Sequence, residues 1–252
     1  MKISIITVCR NSESTIRDTI LSVLNQDFSD VEYIVVDGNS SDGTMMIISE
    51  YKDRIFKIIH EPDQGLYDAM NKGIKNSSGG IIGILNSDDV FNSCEILSSV
   101  SEVFEKYNPD CLYGDLVYVD AANLSKVVRY WKAGSLRHDS FLKGWMPPHP
   151  TFFVKKAIYQ QYGSFNTTFK ISADYEILLR FLVKFKLLAY YFPFIITRMR
   201  VGGVSNSSIS NRLVSQREDR RAWEINSLKP YFFTIAIKPL RKVLQFLPFL
   251  FK

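Results

Sequence analysis

Cysteine and histidine are scarce in this chain of 252 residues, and none of them is spaced as a ligand pair. Cys9, Cys94 and Cys111 lie far apart, and no histidine cluster accompanies them. A disulfide framework and a zinc site are both disfavoured, because each needs paired or clustered side chains. We therefore expect a protein of the reducing cytoplasm.

Long apolar runs are also missing. No stretch reaches the ~20 uninterrupted apolar residues that are needed to span a bilayer. The apolar run 3–8 is too short for a secretory signal, so we predict that it is a first buried strand. The segment that follows it, residues 7–11, contains no glycine. A nucleotidyltransferase needs an early glycine-rich phosphate loop, so that class is disfavoured.

Positive charge is present, and it is unevenly placed. The formal net charge is +5 and the pI is about 9.0, which admits nucleic acid, anionic lipid or a phosphorylated substrate as partner. Much of the surplus lies near the end of the chain, in Arg212, Arg217, Arg220, Arg221, Lys229, Lys238, Arg241, Lys242 and Lys252. The basic character is therefore largely a property of the tail.

Strand and helix patterns alternate through the first half of the chain. Helical spacing separates short apolar segments that are rich in β-branched residues, namely 3–8, 31–36, 56–59, 81–85 and 111–119. This alternation predicts an α/β fold, with a mostly parallel sheet and helices on its faces. Residues 120–146 are polar, aromatic and loop-like, so we expect an inserted region over the ligand crevice.

Two adjacent acids, Asp88 and Asp89, follow the apolar strand 81–85 directly. Neighbouring carboxylates repel each other and are costly to desolvate, so a cation partner is a natural explanation. Oxygen ligands of this kind suit Mg²⁺ or Mn²⁺ bound to a diphosphate. Alternatively, the two acids cap a helix that follows them. The acids alone leave both readings open.

Polar residues also end two other predicted strands. Ligands bind beyond the carboxyl ends of parallel strands, so residues 7–11, Asp37 and residues 86–89 should line one crevice. Taken together, the motifs occur in a fixed order: Ser4-Ile5-Ile6-Thr7-Val8 with Asn11, the run from Val35 to Thr44, Asn71-Lys72-Gly73, Leu85-Asn86-Ser87-Asp88-Asp89, His149, Ala173-Asp174-Tyr175-Glu176 with Arg180, and Gly202-Gly203-Val204-Ser205.

This ordered set resembles the inverting family 2 glycosyltransferases of the GT-A fold, in the branch that builds bacterial surface polysaccharides such as O-antigen, capsule or exopolysaccharide. The resemblance implies a Rossmann-like GT-A domain over residues 1–205. Residues 1–119 would form its nucleotide-sugar-binding half and residues 120–205 its acceptor-binding half. Residues 206–252 would form a basic, amphipathic helical tail.

The resemblance also implies a donor site, made of Thr7, Arg10, Asn11, Asp37, Asn71, Asn86, Asp88 and Asp89. The first acid of the family's D-x-D motif is replaced by Asn86, which leaves Asp88 as the direct ligand of Mn²⁺ or Mg²⁺. Met70 stands where many relatives carry a basic residue. Without the family, Thr7 is equally well an ordinary strand hydroxyl, and Asp37 a turn carboxylate that bonds local amides.

On the acceptor side, Asp174 matches the general base of such enzymes. His149, Trp145 and Arg180 are implied neighbours of the acceptor. Other readings stay open: Asp174 also suits a helix cap, and Arg180 a surface charge or a partner of a carboxylate. Two other aromatic residues, Trp131 and Tyr130, form sugar-stacking platforms with Trp145, or all three belong to the core.

The function implied is metal-dependent transfer of a sugar from a nucleotide diphosphate sugar, a UDP-sugar, to a lipid-linked saccharide. Inversion needs one carboxylate base and no covalent nucleophile, and no activated serine or cysteine arrangement is evident. The alternatives are a non-catalytic glycan- or membrane-binding module of the same fold and a sugar nucleotidyltransferase. Nucleic acid is not an expected partner.

The last part of the tail, residues 231–252, mixes aromatic and aliphatic residues with lysine and arginine. Pro239 and Pro248 interrupt any long helix, so we predict short amphipathic pieces on the cytoplasmic leaflet of the membrane. The alternative is a helical hairpin that packs on the domain or on the second subunit of a homodimer.

Overall fold

The computed structural model describes residues 1–202 and 209–241. The first half contains β1 (Ile3–Cys9), α1 (Ile16–Leu24), β2 (Val31–Asp37), α2 (Thr44–Glu50), β3 (Lys57–His60), α3 (Leu66–Asn76), β4 (Ile81–Ile84), β5 (Asp89–Phe91), α4 (Ile96–Tyr107) and β6 (Cys111–Val119). The second half contains β7 (Val127–Trp131), β8 (Phe153–Lys155), α5 (Lys156–Tyr162), α6 (Ala173–Leu179), β9 (Ala189–Arg200), α7 (Ile209–Ile225) and α8 (Thr234–Arg241).

Two predicted features lie outside the described residues: positions 203–205 of the last motif, and positions 242–252 of the tail.

The strands of these ranges form one sheet, in the order β3-β2-β1-β4-β8-β6-β9-β5, with β7 paired to β6. Strands β1 to β4 pair in parallel, and β6 pairs in parallel with β9. Strand β8 joins β4 and β6 in antiparallel pairs, and β5 and β7 are antiparallel to their neighbours. The predicted α/β fold with a helix-flanked sheet is confirmed.

Alternation along β1 builds an apolar layer on each face of the sheet. Ile6 and Val8 pack into the layer that contains α3 and α6, whereas Ile3 and Ile5 pack into the layer that contains α1, α2 and α4. Gly73 of α3 lies so near β1 that an added Cβ would come within 2.3 Å of Ile6 Cγ2. A glycine is therefore required for this close approach of helix and strand.

Differences from the sequence-based expectation fall mainly in the second half. The loop predicted for residues 120–146 is wrong for 127–131, which form β7, because Val127, Val128 and the aromatic residues after them suit a strand beside β6. The sequence analysis assigned no strand to β9. The capping role considered for Asp88 and Asp89 is also wrong, since Asp89 begins β5 and the next helix, α4, begins at Ile96.

The C-terminal helices pack on the sheet domain. Trp223 of α7 is 1 % exposed, and its Nε1 donates to the hydroxyl of Tyr175 at 2.9 Å. The hydroxyl of Thr234 in α8 donates to Leu142 O at 2.6 Å. Within residues 1–202 and 209–241, no helix is both long enough and apolar enough to cross a bilayer.

Candidate active site

Two loops at the carboxyl ends of β1 and β2 are joined by a run of hydrogen bonds. The backbone N–H of Asn11 donates to Ser40 Oγ at 2.8 Å, and that of Ser12 donates to Thr44 Oγ1 at 2.8 Å. In return, Asn11 Oδ1 accepts from the N–H of Ser41 at 2.9 Å. A non-glycine residue at positive φ, as Asn11 is at 51°, needs such support. The loops form a preformed edge, and the exposed Arg10 lies on it.

Asp37 ends β2 beneath this edge, and its side chain is fully buried. One oxygen accepts from the N–H of Ser40 at 2.9 Å and lies 2.7 Å from His60 Nδ1, while the other accepts from the Ser40 hydroxyl and from Cys9 Sγ. Burial works to raise the pKa of Asp37, but the bonds from Ser40 and His60 outweigh it and lower the pKa. If the base of the donor nucleotide formed a hydrogen bond with Asp37, it would have to replace one of these partners.

The predicted metal-binding acids lie next to this edge, where Ser12 Oγ and Ser87 Oγ are 2.8 Å apart. Asp88 is partly exposed, and its pKa is raised by burial, which outweighs the charges of Arg200 and His149. Asp89 is fully buried, and burial together with the charge of Asp88 raises its pKa well above the ordinary value. Asn86 Nδ2 donates weakly to Asp89 Oδ2, at 3.4 Å.

These residues fit a divalent cation that is shared with a diphosphate. The buried Oδ1 atoms of Asn86 and Asp89 have no hydrogen-bond partner, and a cation beside them would satisfy these oxygens. Among the described residues there is no group of three or more His, Cys, Asp or Glu that could hold a metal. Mg²⁺ commonly takes one or two protein carboxylates and completes its shell with water and substrate phosphates.

The predicted base, Asp174, lies in the first turn of α6. Its Oδ2 is 3.0 Å from His149 Nδ1, and its Oδ1 accepts from the N–H of Tyr175 at 2.8 Å. Burial works to raise the pKa of Asp174, but His149, Lys238 and the Tyr175 N–H outweigh it and lower the pKa. The carboxylate is therefore ionised at neutral pH, and it stays 20 % exposed.

A carboxylate of α7 holds the turn that carries Asp174. Glu218 accepts from the backbone N–H groups of Lys170, Ile171 and Ser172 at 2.8, 2.9 and 2.9 Å. Charge-assisted bonds of this kind are about twice as strong as neutral ones. The start of α6 is thus fixed by a helix more than forty residues further along the chain.

Asp174 and His149 face a cavity of about 570 Å³. Its walls come from strands β6, β7 and β9 and from helices α6, α7 and α8, and include Trp131, Met146, Ile171, Ile235 and Lys238. A volume of this size is typical of small-molecule sites. The cavity therefore has room for a sugar ring beside the candidate base.

Four of the predicted site residues make other contacts. Thr7 is fully buried and its hydroxyl accepts from Tyr33, and Asn71 exchanges two 2.9 Å hydrogen bonds with the backbone of Phe165. Trp145 lies in the core because its ring packs edge-on against Phe141 and Tyr113. Its Nε1 donates to Ala133 O. Arg180 binds Glu176 and the carbonyls of residues 162–164. Of the three aromatic residues considered for stacking, Trp131 lines the cavity.

Other site residues escaped the sequence analysis, among them His60, Arg129, Glu218, Asp219 and Lys238. The acids and bases of α7 and α8 alternate along the chain in a way that is typical of a solvated surface. Only His60 could have been found from the sequence pattern. It ends β3 as Asp37 ends β2, and the two residues are paired in register.

The family model for glycosyl transferase family 2 matches residues 4–173. A glycosyltransferase of Mycobacterium tuberculosis H37Rv, Rv1514c, is 31% identical over 71% of this chain and 68% of its own. WfgD of Escherichia coli, a UDP-Glc:alpha-D-GlcNAc-diphosphoundecaprenol beta-1,3-glucosyltransferase, is 28% identical over 88% of this chain and 84% of its own.

Solved structures show the same fold. S. aureus TarS in complex with UDP-GlcNAc superposes with a TM-score of 0.70 at 18% identity, over 98% of this chain and 69% of that one. The mannosyltransferase PcManGT from Pyrobaculum calidifontis, in complex with GDP-Man and Mn²⁺, gives a TM-score of 0.65 at 15% identity, over 96% and 69%. With the family match and the sequence relatives, these findings show that the chain belongs to glycosyl transferase family 2 and is an enzyme that transfers a sugar from a nucleotide-sugar donor.

Proposed function

We propose that this enzyme transfers a sugar with inversion from a UDP-sugar to a lipid-linked saccharide, with Mn²⁺ or Mg²⁺, in the synthesis of a bacterial surface polysaccharide. One observation carries the proposal. His149 lies 3.0 Å from Asp174, and both line a cavity with Met199, whose neighbour Arg200 donates to Asp88 O at 2.7 Å. The candidate base and the candidate metal ligand are therefore neighbours, as transfer from a diphosphate donor requires.

Names of related proteins support the donor and the acceptor. WfgD, at 28% identity, is named for UDP-Glc and for an acceptor on diphosphoundecaprenol. Among the fold neighbours, TarS holds UDP-GlcNAc and PcManGT holds GDP-Man with Mn²⁺. We take UDP as the nucleotide because the sequence relative carries more weight than a likeness of fold.

The chemistry is a single displacement. An acceptor hydroxyl in the cavity donates its proton to Asp174 while its oxygen forms a bond to the anomeric carbon. The bond from that carbon to the diphosphate oxygen breaks, and UDP leaves from the opposite face. His149 orients the Asp174 carboxylate. A divalent cation held by Asp88, with Asn86 as a neutral neighbour, would offset the charge that develops on the leaving diphosphate.

The acceptor would be taken from the cytoplasmic leaflet. Tyr231, Phe232 and Leu240 expose 49, 99 and 64 % of their surface, beside the exposed cations Lys229 and Arg241. Aromatic residues next to cations suit the interface of an anionic membrane. We expect Phe232→Ser combined with Leu240→Ser to reduce cosedimentation with phosphatidylglycerol vesicles, whereas Leu188→Ser, at another exposed apolar residue, should not.

The donor and metal parts can be tested by calorimetric titration of UDP, GDP and CDP, with Mn²⁺ and with a chelator. We expect UDP to bind in the presence of Mn²⁺, and binding to weaken when the metal is chelated or in Asp88→Ala. The exposed Asp53→Ala serves as the matched control. If no nucleotide binds under any of these conditions, the assignment of the donor site is wrong.

A further inference from the structure

The acidic turn, residues 86–89, is held from outside by an arginine at the end of β9. Arg200 is only 6 % exposed, and its guanidinium has three partners. Its Nη1 donates to Asp88 O at 2.7 Å, its Nε donates to Ala121 O at 3.1 Å, and its Nη2 pairs with a carboxylate oxygen of Asp18 in α1. Every nitrogen of the planar fork is therefore used, and a lysine in its place could not make all three contacts.

Helix α1 also holds the next residue of the turn. The hydroxyl of Thr19, which is fully buried, donates to Asp89 O at 2.8 Å. Its neighbour Asp18 is the partner of Arg200. Consecutive residues of α1 thus fix the carbonyls of both acids of the turn, one directly and the other through the arginine. Because a carboxylate is placed only as accurately as the backbone that carries it, the geometry of the two acids depends on these contacts.

The ion pair with Asp18 also resolves a conflict of charge. A guanidinium beside a metal-binding turn would repel a divalent cation if its own charge were not offset. Asp18 supplies the opposite charge, and its side chain is 45 % exposed. The pair can therefore hold the turn through hydrogen bonds without adding a net positive charge next to the metal ligands.

The strand that carries Arg200 also forms part of the wall of the acceptor cavity. Met199 and Val201, its neighbours in sequence, both line that cavity. The backbone N–H of Val201 donates to Val119 O at 3.0 Å, which continues the pairing of β9 with β6. Arg200 thus connects the acidic turn of the donor side with a strand of the acceptor side.

We propose that Arg200 is a positioning residue of the metal site, and that its three contacts fix the acidic turn so that Asp88 binds the divalent cation tightly. The inference rests on the proposed function, since it takes the metal dependence of that reaction as given. Arg200 acts through the backbone of Asp88 and takes no part in the transfer of the proton or of the sugar.

The test is a calorimetric titration of UDP into the 252-residue protein at a series of Mn²⁺ concentrations. Arg200→Lys keeps the charge but loses the planar fork. We expect the Mn²⁺ concentration that gives half-maximal UDP binding to rise about 10-fold, as for other groups that orient a metal ligand. Arg198→Lys is the matched control, because Arg198 lies two residues earlier on the same strand and donates to Leu124 O at 3.1 Å.

Excess metal separates positioning from a merely structural role. At saturating Mn²⁺ the UDP affinity of Arg200→Lys should return to within about twofold of the wild type, because added metal offsets a weakened metal site but does not repair a damaged fold. An affinity that stays low at saturating Mn²⁺ would overturn the proposal. So would an equal Mn²⁺ requirement in Arg200→Lys and Arg198→Lys.

If Arg200→Lys does not fold, Asp18→Asn decides. This change lies at a partly exposed side chain and leaves the charge of the guanidinium without its partner. We expect the Mn²⁺ requirement to rise about threefold, as for the loss of one exposed ion pair. An unchanged requirement would then count against the proposal.

The proposed function fails separately, in the wild type. If wild-type protein binds no UDP, or binds it equally well with a chelator, the donor site or its metal dependence is wrong, and this inference fails with it. A wild type that needs Mn²⁺, together with an unaffected Arg200→Lys, overturns the inference alone.

Discussion

The loop edge of the donor crevice and the acceptor cavity are built in opposite ways. In the crevice, residues 10–13 and 40–44 bind one another, and both oxygens of Asp37 are occupied. In the cavity, distant elements meet and Asp219 Oδ1 is left without a partner. Polar atoms that are already satisfied favour a fixed shape, whereas unsatisfied ones favour a ligand that completes them. We therefore expect the loop edge of the crevice to keep its shape when a ligand binds. The cavity, like the unpaired oxygens of Asn86 and Asp89 at the metal-binding end of the crevice, should be completed by a ligand.

The strongest test of this contrast is Asp174→Asn. The amide keeps the shape of the side chain but cannot accept the proton of the acceptor hydroxyl, so we expect transfer to fall about 10³-fold. UDP affinity, measured by calorimetry, should stay within about twofold of the wild type if the two sides are independent. A variant that still transferred sugar at the normal rate would remove Asp174 from the reaction.

A smaller effect is expected from Glu218→Gln, which removes the charge that holds the turn 170–172. We expect kcat to fall about 10- to 100-fold, because a small displacement of a base is costly. UDP binding should not change. Glu224→Gln, at an exposed glutamate of the same helix, is the control. If both variants behaved alike, the turn would be held by other contacts.

His149→Gln is expected to change the pH dependence. His149 is the chief cause that lowers the pKa of Asp174, so its loss should raise that pKa. Asp174 would then become protonated at a higher pH, and the acid limb of kcat/KM would shift to higher pH. The exposed His138→Gln should leave the profile unchanged. An acid limb that moved downward would contradict this assignment.

The smallest effect is expected on the donor side, from Ser40→Ala. Its hydroxyl joins the N–H of Asn11 to the carboxylate of Asp37, so its loss should loosen the crevice. We expect UDP affinity to fall about fivefold, as for a net loss of one to two hydrogen bonds. The acceptor KM should stay constant, and Ser49→Ala, at an exposed hydroxyl of α2, is the control. A change confined to the acceptor KM would reverse the comparison.

The same contrast explains how much could be predicted from sequence. The bounds of β6, and the convergence of residues 7–11 with Asp37 and residues 86–89, followed from short-range patterns. The cavity could not be predicted from such patterns. Its residues Arg129, Asp219 and Lys238 come together only through strand pairing and helix packing across long stretches of chain. Asp219 lies among Arg217, Arg220 and Arg221 and has the pattern of a solvated helix, although it is 3 % exposed.

Part of the cavity wall comes from α8, and this has a consequence for the order of synthesis on the ribosome. The residues assigned to the donor site all precede β6, but β5 pairs with β9, so this side of the sheet is complete only once β9 has been made. Ile235 and Lys238 of the cavity wall are added later still. We therefore expect a nascent chain to complete its nucleotide site before it can enclose an acceptor.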